Sequence, residues 1–480
     1  MASVEMRADL STLIDALVAG NTDQIIALTR DMTQHDHSAD VLIGRIGLIA
    51  ANADPDGHIL LTLDAAAMLC RYVHTIPQPL EGEVRGNERA TPLFAQAMLF
   101  AAPAVRASNN AQTTYPQPFY PSGLGEKGTV SEAMREAVEG NDPVRVERLL
   151  LGLYGTGSDY RTMQVRAYDS IATTFQDAGH PLMMAVRGFQ LLGTVEWGDR
   201  APHIIHWLAP RLPLRPDATQ PTWIKPVHEF ALDPAHDMAS VRTRLSAPKD
   251  QNALPLRRLV LSDADTTQIC QAVYDAVMRR EASPRAVGSV LALAAADVMS
   301  MVGDGDRELF IQVAHGLLFT AAVRVVFQQV QDIDVLPLLF TSAAYINELR
   351  KEVTAQHNTM PTQTAPASSA ILGGGLIAPS QLETLTAQLQ GQDFSGAVTT
   401  SQRYLKLNHD ARSLFATIGL IAAQTDATTD QGHTLQIVQA ASEEFLAWPH
   451  ALSETSIDAF LQVAIRAAAF GKRDPRLANL

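Results

Sequence analysis

The chain lacks most of the features by which a sequence declares a function. Its 480 residues hold only two cysteines, Cys70 and Cys270, too few for a disulfide framework or a cysteine-held iron–sulfur cluster. Basic residues are outnumbered, with 37 Lys and Arg against 51 Asp and Glu and a formal charge of −14. That balance argues against nucleic-acid binding, which needs clustered cations to neutralise phosphates, and against an anionic membrane surface. No run reaches 18 uninterrupted apolar residues and the N-terminus has no signal-peptide core, so no membrane partner is expected and a cytoplasmic protein is the simplest expectation. Aromatic residues make up 6%. A Gly-x-Ser-x-Gly elbow, a Walker loop and a dinucleotide fingerprint after a strand are all missing, which removes the commonest hydrolase and nucleotide readings. Alternation of apolar and polar residues is also missing, so the chain reads as all-α.

One short pattern occurs four times. A small residue followed by histidine opens an apolar stretch at Gly57-His58, Gly179-His180, Ala314-His315 and Gly432-His433, at intervals of 122, 135 and 118 residues. An amphipathic segment ending near a polar break precedes each of them, at Gly20-Asn21, Gly140-Asn141, Arg280–Pro284 and Gly391-Gln392, and where the break holds a glycine the glycine-to-histidine distance is 38, 40 and 42 residues. Glycine past a helix end and Asp, Asn or Pro at the next start are ordinary stop and start signals. Ile46–Ala51 and Ile418–Ala423 are identical hexapeptides. An internal repeat accounts for this recurrence better than chance does.

The expected architecture is four degenerate five-helix repeats forming two pseudo-symmetric halves, either as a helical bundle or as an α/α repeat array. Residues 1–248 hold repeats at about 9–103 and 129–210, and residues 249–480 hold repeats at about 264–351 and 381–471. Linkers are expected at about 104–128, 211–262 and 354–380. The first carries Tyr115-Pro116 and Phe119-Tyr120-Pro121, which should lie against the helical body. The alternative to two halves closes all four repeats into one ring or arc, and both remain open at this stage.

Histidine is the usual neutral metal ligand and proton carrier near neutral pH. Helical bundles build metal sites from inward-facing side chains, and imidazole suits iron, zinc and copper. His58, His180, His315 and His433 are therefore candidate ligands of a metal ion or haem buried between repeats. His203 and His206, spaced i, i+3 on one helix, form a further candidate pair. Asp54, Asp56, Asp177, Asp306, Glu308 and Asp430 precede the four histidines closely. They could orient the imidazoles, or serve helix N-termini as plain dipole partners. Packing and capping at a helix start, retained through duplication, is the plain alternative for the histidines themselves.

The stretch Asp177-Ala178-Gly179-His180-Pro181-Leu182-Met183-Met184, continuing to Trp197-Gly198-Asp199-Arg200-Ala201-Pro202-His203, resembles a block in questin-oxidase-like proteins. Val313-Ala314-His315-Gly316-Leu317-Leu318 is similar. The resemblance covers about a third of the chain. It implies oxygen-dependent oxidation of a hydrophobic small molecule, with His180 and His315 as catalytic residues and iron or haem as cofactor. The chain has no Rieske cysteine–histidine pattern, so a separate electron-transfer protein would be the partner. The competing expectations are a non-catalytic helical-repeat scaffold and a carrier for a hydrophobic ligand.

Overall fold

The computed structural model describes residues 2–35, 37–79, 84, 87–109, 113–125, 128–157, 160–217, 219–236, 248–330, 332–357, 377–478 and 480. Among these residues the fold is all-α, with one isolated bridge between Thr425 and Arg473 and no strand. The segment expected to be the first repeat holds α1 (Ala2–Ala19), α2 (Thr22–Gln34), α3 (Ala39–Ala50), α4 (His58–Val73) and α5 (Thr91–Ser108). The second contributes α6 (Val130–Glu139), α7 (Pro143–Gly155), α8 (Tyr160–Asp169), α9 (His180–Thr194) and α10 (Ala201–Leu208). They are followed in the chain by α11 (Ile224–Leu232) and α12 (Pro255–Val260).

The third repeat differs from expectation. It has four helices rather than five: α13 (Thr266–Met278), α14 (Pro284–Met301), α15 (Arg307–Gln329) and α16 (Pro337–His357). The helix bearing its histidine starts two turns earlier, capped by the Asp306 carboxylate on the Leu309 amide. The fourth repeat returns to five, with α17 (Ala378–Gln390), α18 (Phe394–Lys406), α19 (Ala411–Ala422), α20 (His433–Leu446) and α21 (Asp458–Phe470).

One of the expected linkers is also revised. Residues 211–262 contain α11 and α12, short amphipathic pieces whose Val227, Phe230, Leu256 and Val260 are buried. Ile224, Val227 and Phe230 are buried at i, i+3 and i+6, a spacing too short in nine residues to stand out as a helical period in the sequence. The first linker is held against the body as expected: Phe119 N donates to the Arg148 carbonyl at 2.8 Å, and Arg148 Nε donates to Gln117 O at 2.9 Å. Most of the third linker, residues 358–376, lies outside the described residues.

The core is a closed ring of four helices. α4 packs on α9, α9 on α15, α15 on α20, and α20 back on α4, so the four histidine-bearing helices meet in one interior. α3 and α5 cover α4, α14 and α16 cover α15, and α19 and α21 cover α20. The ring helices are buried on nearly every face, as helices enclosed by others are. α15 is long and apolar enough by length and composition to cross a membrane, but 83% of its apolar window is buried in the bundle.

Candidate metal centre

Three of the ring helices start in the same way. Gly57, Gly179 and Gly432 precede the histidines with φ of 88°, 87° and 76°, a left-handed turn that favours glycine. The turn places His58, His180 and His433 at the first helical position, pointing inward. His315 reaches the same place differently: it is the ninth residue of α15, not a helix start, which corrects the expectation of four equivalent positions. The extra two turns of α15 carry it past the ring to bring His315 level.

The four imidazoles form a closed cycle. Ring centroids are 4.7 Å apart for His58–His180, 5.0 Å for His180–His315, 4.7 Å for His315–His433 and 5.1 Å for His433–His58. His180 Nε2 lies 3.0 Å from His58 Nε2, and His433 Nε2 lies 3.1 Å from His315 Nε2. His58, His180 and His433 are 8%, 5% and 3% exposed, and one ligand nitrogen from each lies within 4.8 Å of the others, a spacing that could hold a metal ion. Among the described residues this is the one such group. His315 is half-buried.

The opposite ring nitrogens fix the tautomers. Nδ1 of His180 donates to the Asp177 carbonyl at 2.5 Å, Nδ1 of His315 to the Gln312 carbonyl at 3.0 Å, and Nδ1 of His433 to the Asp430 carbonyl at 2.5 Å. A carbonyl oxygen only accepts, so in each ring the hydrogen is on Nδ1 and Nε2 carries a lone pair. His433 and His315 therefore face each other through two bare nitrogens. His58 is different: its Nδ1 stands 3.2 Å from Asp56 Oδ1 without aligned hydrogen bonding.

Protonation does not relieve this contact near neutral pH. Burial, then the neighbouring imidazoles, push His180 and His315 down to about 4 and His433 to about 3. Three helix N-termini directed at the ring add positive potential and act in the same direction.

The acidic residues mostly serve the helix starts. Asp54 accepts from the Gly57 and Leu60 amides and from Trp207 Nε1 at 3.1–3.2 Å. Asp430 accepts from the Gly432 and Thr434 amides and pairs with Arg307 at 2.7 Å. Asp177 orients His180 through its backbone carbonyl; its carboxylate is 3.9 Å away. Asp306 caps α15, and Glu308 is exposed.

His203 and His206 do not join the cluster. His203 Nδ1 is 3.1 Å from the Tyr115 hydroxyl and His206 Nδ1 is 2.7 Å from Glu147 Oε1, so each is engaged on the α10 surface beneath the first linker. Sequence reasoning missed a polar rung just inside the ring, where Gln436 Nε2 donates to Thr62 Oγ1 at 3.0 Å and Thr62 donates to the His58 carbonyl. Both fall on the histidine faces at i+3 and i+4, the one signal that could have found them.

A cleft of about 330 Å³ opens beside the ring. Pro55, Pro181, Met184 and Pro213 give it apolar walls, His180 is the ring imidazole that lines it, and Asp56, Asp177, Arg211 and Arg215 contribute charge.

No family model, curated protein or solved structure matches this chain.

Proposed function

We propose that the imidazole ring binds one transition-metal ion, and that the protein is a metal-dependent oxidoreductase acting on a small, largely apolar molecule admitted through the adjoining cleft. The observation that carries the metal reading is the pair of bare Nε2 atoms of His315 and His433 at 3.1 Å. Two lone pairs held face to face repel unless a cation lies between or beside them. Neighbouring ligands of one ion, each about 2.0–2.1 Å from it, stand about 3.0–3.4 Å apart. The spacing fits that requirement. It also favours a lone ion over haem, because axial haem ligands face one another across a flat macrocycle, whereas these nitrogens converge.

Neutral imidazoles leave the charge of a divalent ion uncompensated, and a redox-active iron or copper there would supply dioxygen chemistry. His180 stands between the ring and the cleft, and His315, the least buried, is the ligand best placed to yield a coordination position. Oxygen insertion into a C–H bond consumes a pair of electrons and a pair of protons and releases water. A separate electron-transfer protein would supply the electrons, as the resemblance to questin-oxidase-like proteins implies. The cytoplasmic compartment belongs to the same reading.

Elemental analysis of protein purified without an affinity tag should find one iron or copper per chain, and chelation should lower its melting temperature. Metal-free protein that takes up no added metal, with a melting temperature unchanged by chelator, overturns the proposal. The deep burial of His58, His180 and His433 favours a second reading, a closed structural ion in a non-catalytic scaffold. Azide separates the two: it perturbs the absorption of an ion with an open position and leaves a closed one unchanged.

A further inference from the structure

Two to three turns below the imidazoles, the same four helices meet again through charged side chains. α4 supplies Asp64, α9 Arg187, α15 Arg324, and α20 Glu443 and Glu444. These lie six, seven, nine, ten and eleven residues beyond the histidine of their own helix. Each charge lies C-terminal to the histidine of its own helix, and the two groups meet in separate layers, so the four helices run parallel, with the charges about 9–16 Å from the ring. Asp64, Arg324 and Glu444 are 0% exposed and Arg187 is 6% exposed.

Glu443 is paired with both arginines. It accepts from Arg187 Nη1 at 2.9 Å and Gln439 Nε2 at 2.8 Å, and stands 3.1 Å from Arg324 Nη2. Glu444 accepts from Arg324 Nε at 2.5 Å through Oε1, and its Oε2 has no partner. Asp64 receives no hydrogen bond on either oxygen, and Arg187 Nη1 is 3.9 Å away. Two guanidinium groups against three carboxylates leave one negative charge in excess if all ionise. An ionised carboxylate with no donor in an apolar interior is the costliest arrangement available, and one proton removes it.

We infer that this layer is a proton-binding site, with Asp64 as the principal holder and Glu444 as the alternate, and that the charge at the imidazole ring governs its occupancy. Burial raises both carboxyls to about 7, opposed mainly by Arg187 at Asp64 and by Arg324 at Glu444. The other groups facing Asp64 are Glu443 and Arg71, the latter held by Asp40 at 3.2 Å. Tyr72, which also faces Glu443 and Arg412, and Tyr168, which faces Arg187, have hydroxyls that burial keeps protonated. Glu443 is held below the ordinary carboxylate range by its two arginines. The proton site needs nothing from the metal reading. The coupling rests on it, since a cation bound at the ring favours the ionised carboxyl and lowers its midpoint by about one pH unit at this separation.

Infrared pH titration of the full chain, first metal-free and then with added Zn²⁺, tests both parts. A protonated-carboxyl band should be present at neutral pH and lost on alkalinisation, and D64N should remove most of it while E444Q shifts its midpoint. A metal-free protein without this band, or with the same band in D64N, overturns the proton site. Should D64N fail to fold, the carbon-13 shift of the Asp64 carboxyl in aspartate-labelled wild type gives the same answer. Zn²⁺ should then move the midpoint down. Zn²⁺ that binds without moving it overturns the coupling, whereas Zn²⁺ that does not bind while the band persists counts against the metal centre alone.

Discussion

Gly432 packs directly against Thr62: a methyl group at position 432 would collide with the Thr62 side chain. The glycine before each first-turn histidine thus does two things, turning the backbone through positive φ and letting the next helix of the ring approach. Gly179 meets Phe319 and Gly57 meets Met184 in the same sense around the cycle. Glycine-histidine is therefore a packing unit, and the imidazoles converge because the helix starts are allowed to touch.

Gly432→Ala should accordingly be destabilising by about 2–4 kcal/mol, combining left-handed backbone strain with overpacking against Thr62. Gly193→Ala is the control. That residue lies in α9 with open space where a Cβ would go, so removing backbone freedom should stabilise it by about 0.5–1 kcal/mol. Urea unfolding measures both. Equal effects at the two positions would show that close approach at the ring does not matter.

The ligand assignment predicts a sharp contrast among histidines. His433→Ala removes one of three buried nitrogens and strands the His315 lone pair, so Co²⁺ or Zn²⁺ affinity should fall by more than the roughly 10–100-fold typical of losing an outer-shell partner. His203→Ala and His206→Ala should bind metal as wild type does, because their partners are Tyr115 and Glu147. Calorimetric titration of metal-free protein reads all three.

Much of the ring was legible because a small residue followed by histidine recurs four times, as Gly-His three times and Ala-His once, and periodicity then carried the fold class. His315 was placed at a helix start because Ala314-His315 mimics the other three, but Asp306 caps the helix earlier and no glycine is needed in mid-helix. The charged layer was not legible. In sequence a buried Asp64 or Arg324 looks like any solvated charge, and only its isolation within Leu60–Leu69 or Leu317–Phe327 hints otherwise. Whether a charge is compensated depends on partners more than a hundred residues away, such as Arg324 with Glu444 and Arg187 with Glu443.

Asp54 anchors the first ring helix by accepting from two amides and from Trp207 Nε1 while remaining buried. Asp54→Ala leaves those donors without partners and should cost about 2–4 kcal/mol. Asp56→Ala, at a half-exposed side chain, should cost under about 1 kcal/mol. Thermal unfolding that ranks the two in the opposite order would mean that Asp56, beside His58, matters more to the ring than the cap does.

The pH dependence of stability should separate the two layers, because their shifts have opposite sign. His180, His315 and His433 have folded values of about 4, 4 and 3, below the ordinary histidine value. Between about pH 4 and 6.5 the unfolded chain binds more protons at these groups, so their contribution is present above about 6.5 and lost as pH falls. Asp64 is raised to about 7, so there the folded state binds the extra proton, and stability is lost as pH rises from about 4 to 7. Within that window the contributions partly cancel in the metal-free wild type. Asp64→Asn removes only the second, so its stability relative to wild type should grow as pH rises through the window and level off above about 7. Urea unfolding of the metal-free proteins across this range measures the difference. A gap that is constant with pH would mean that Asp64 is ionised in the folded interior.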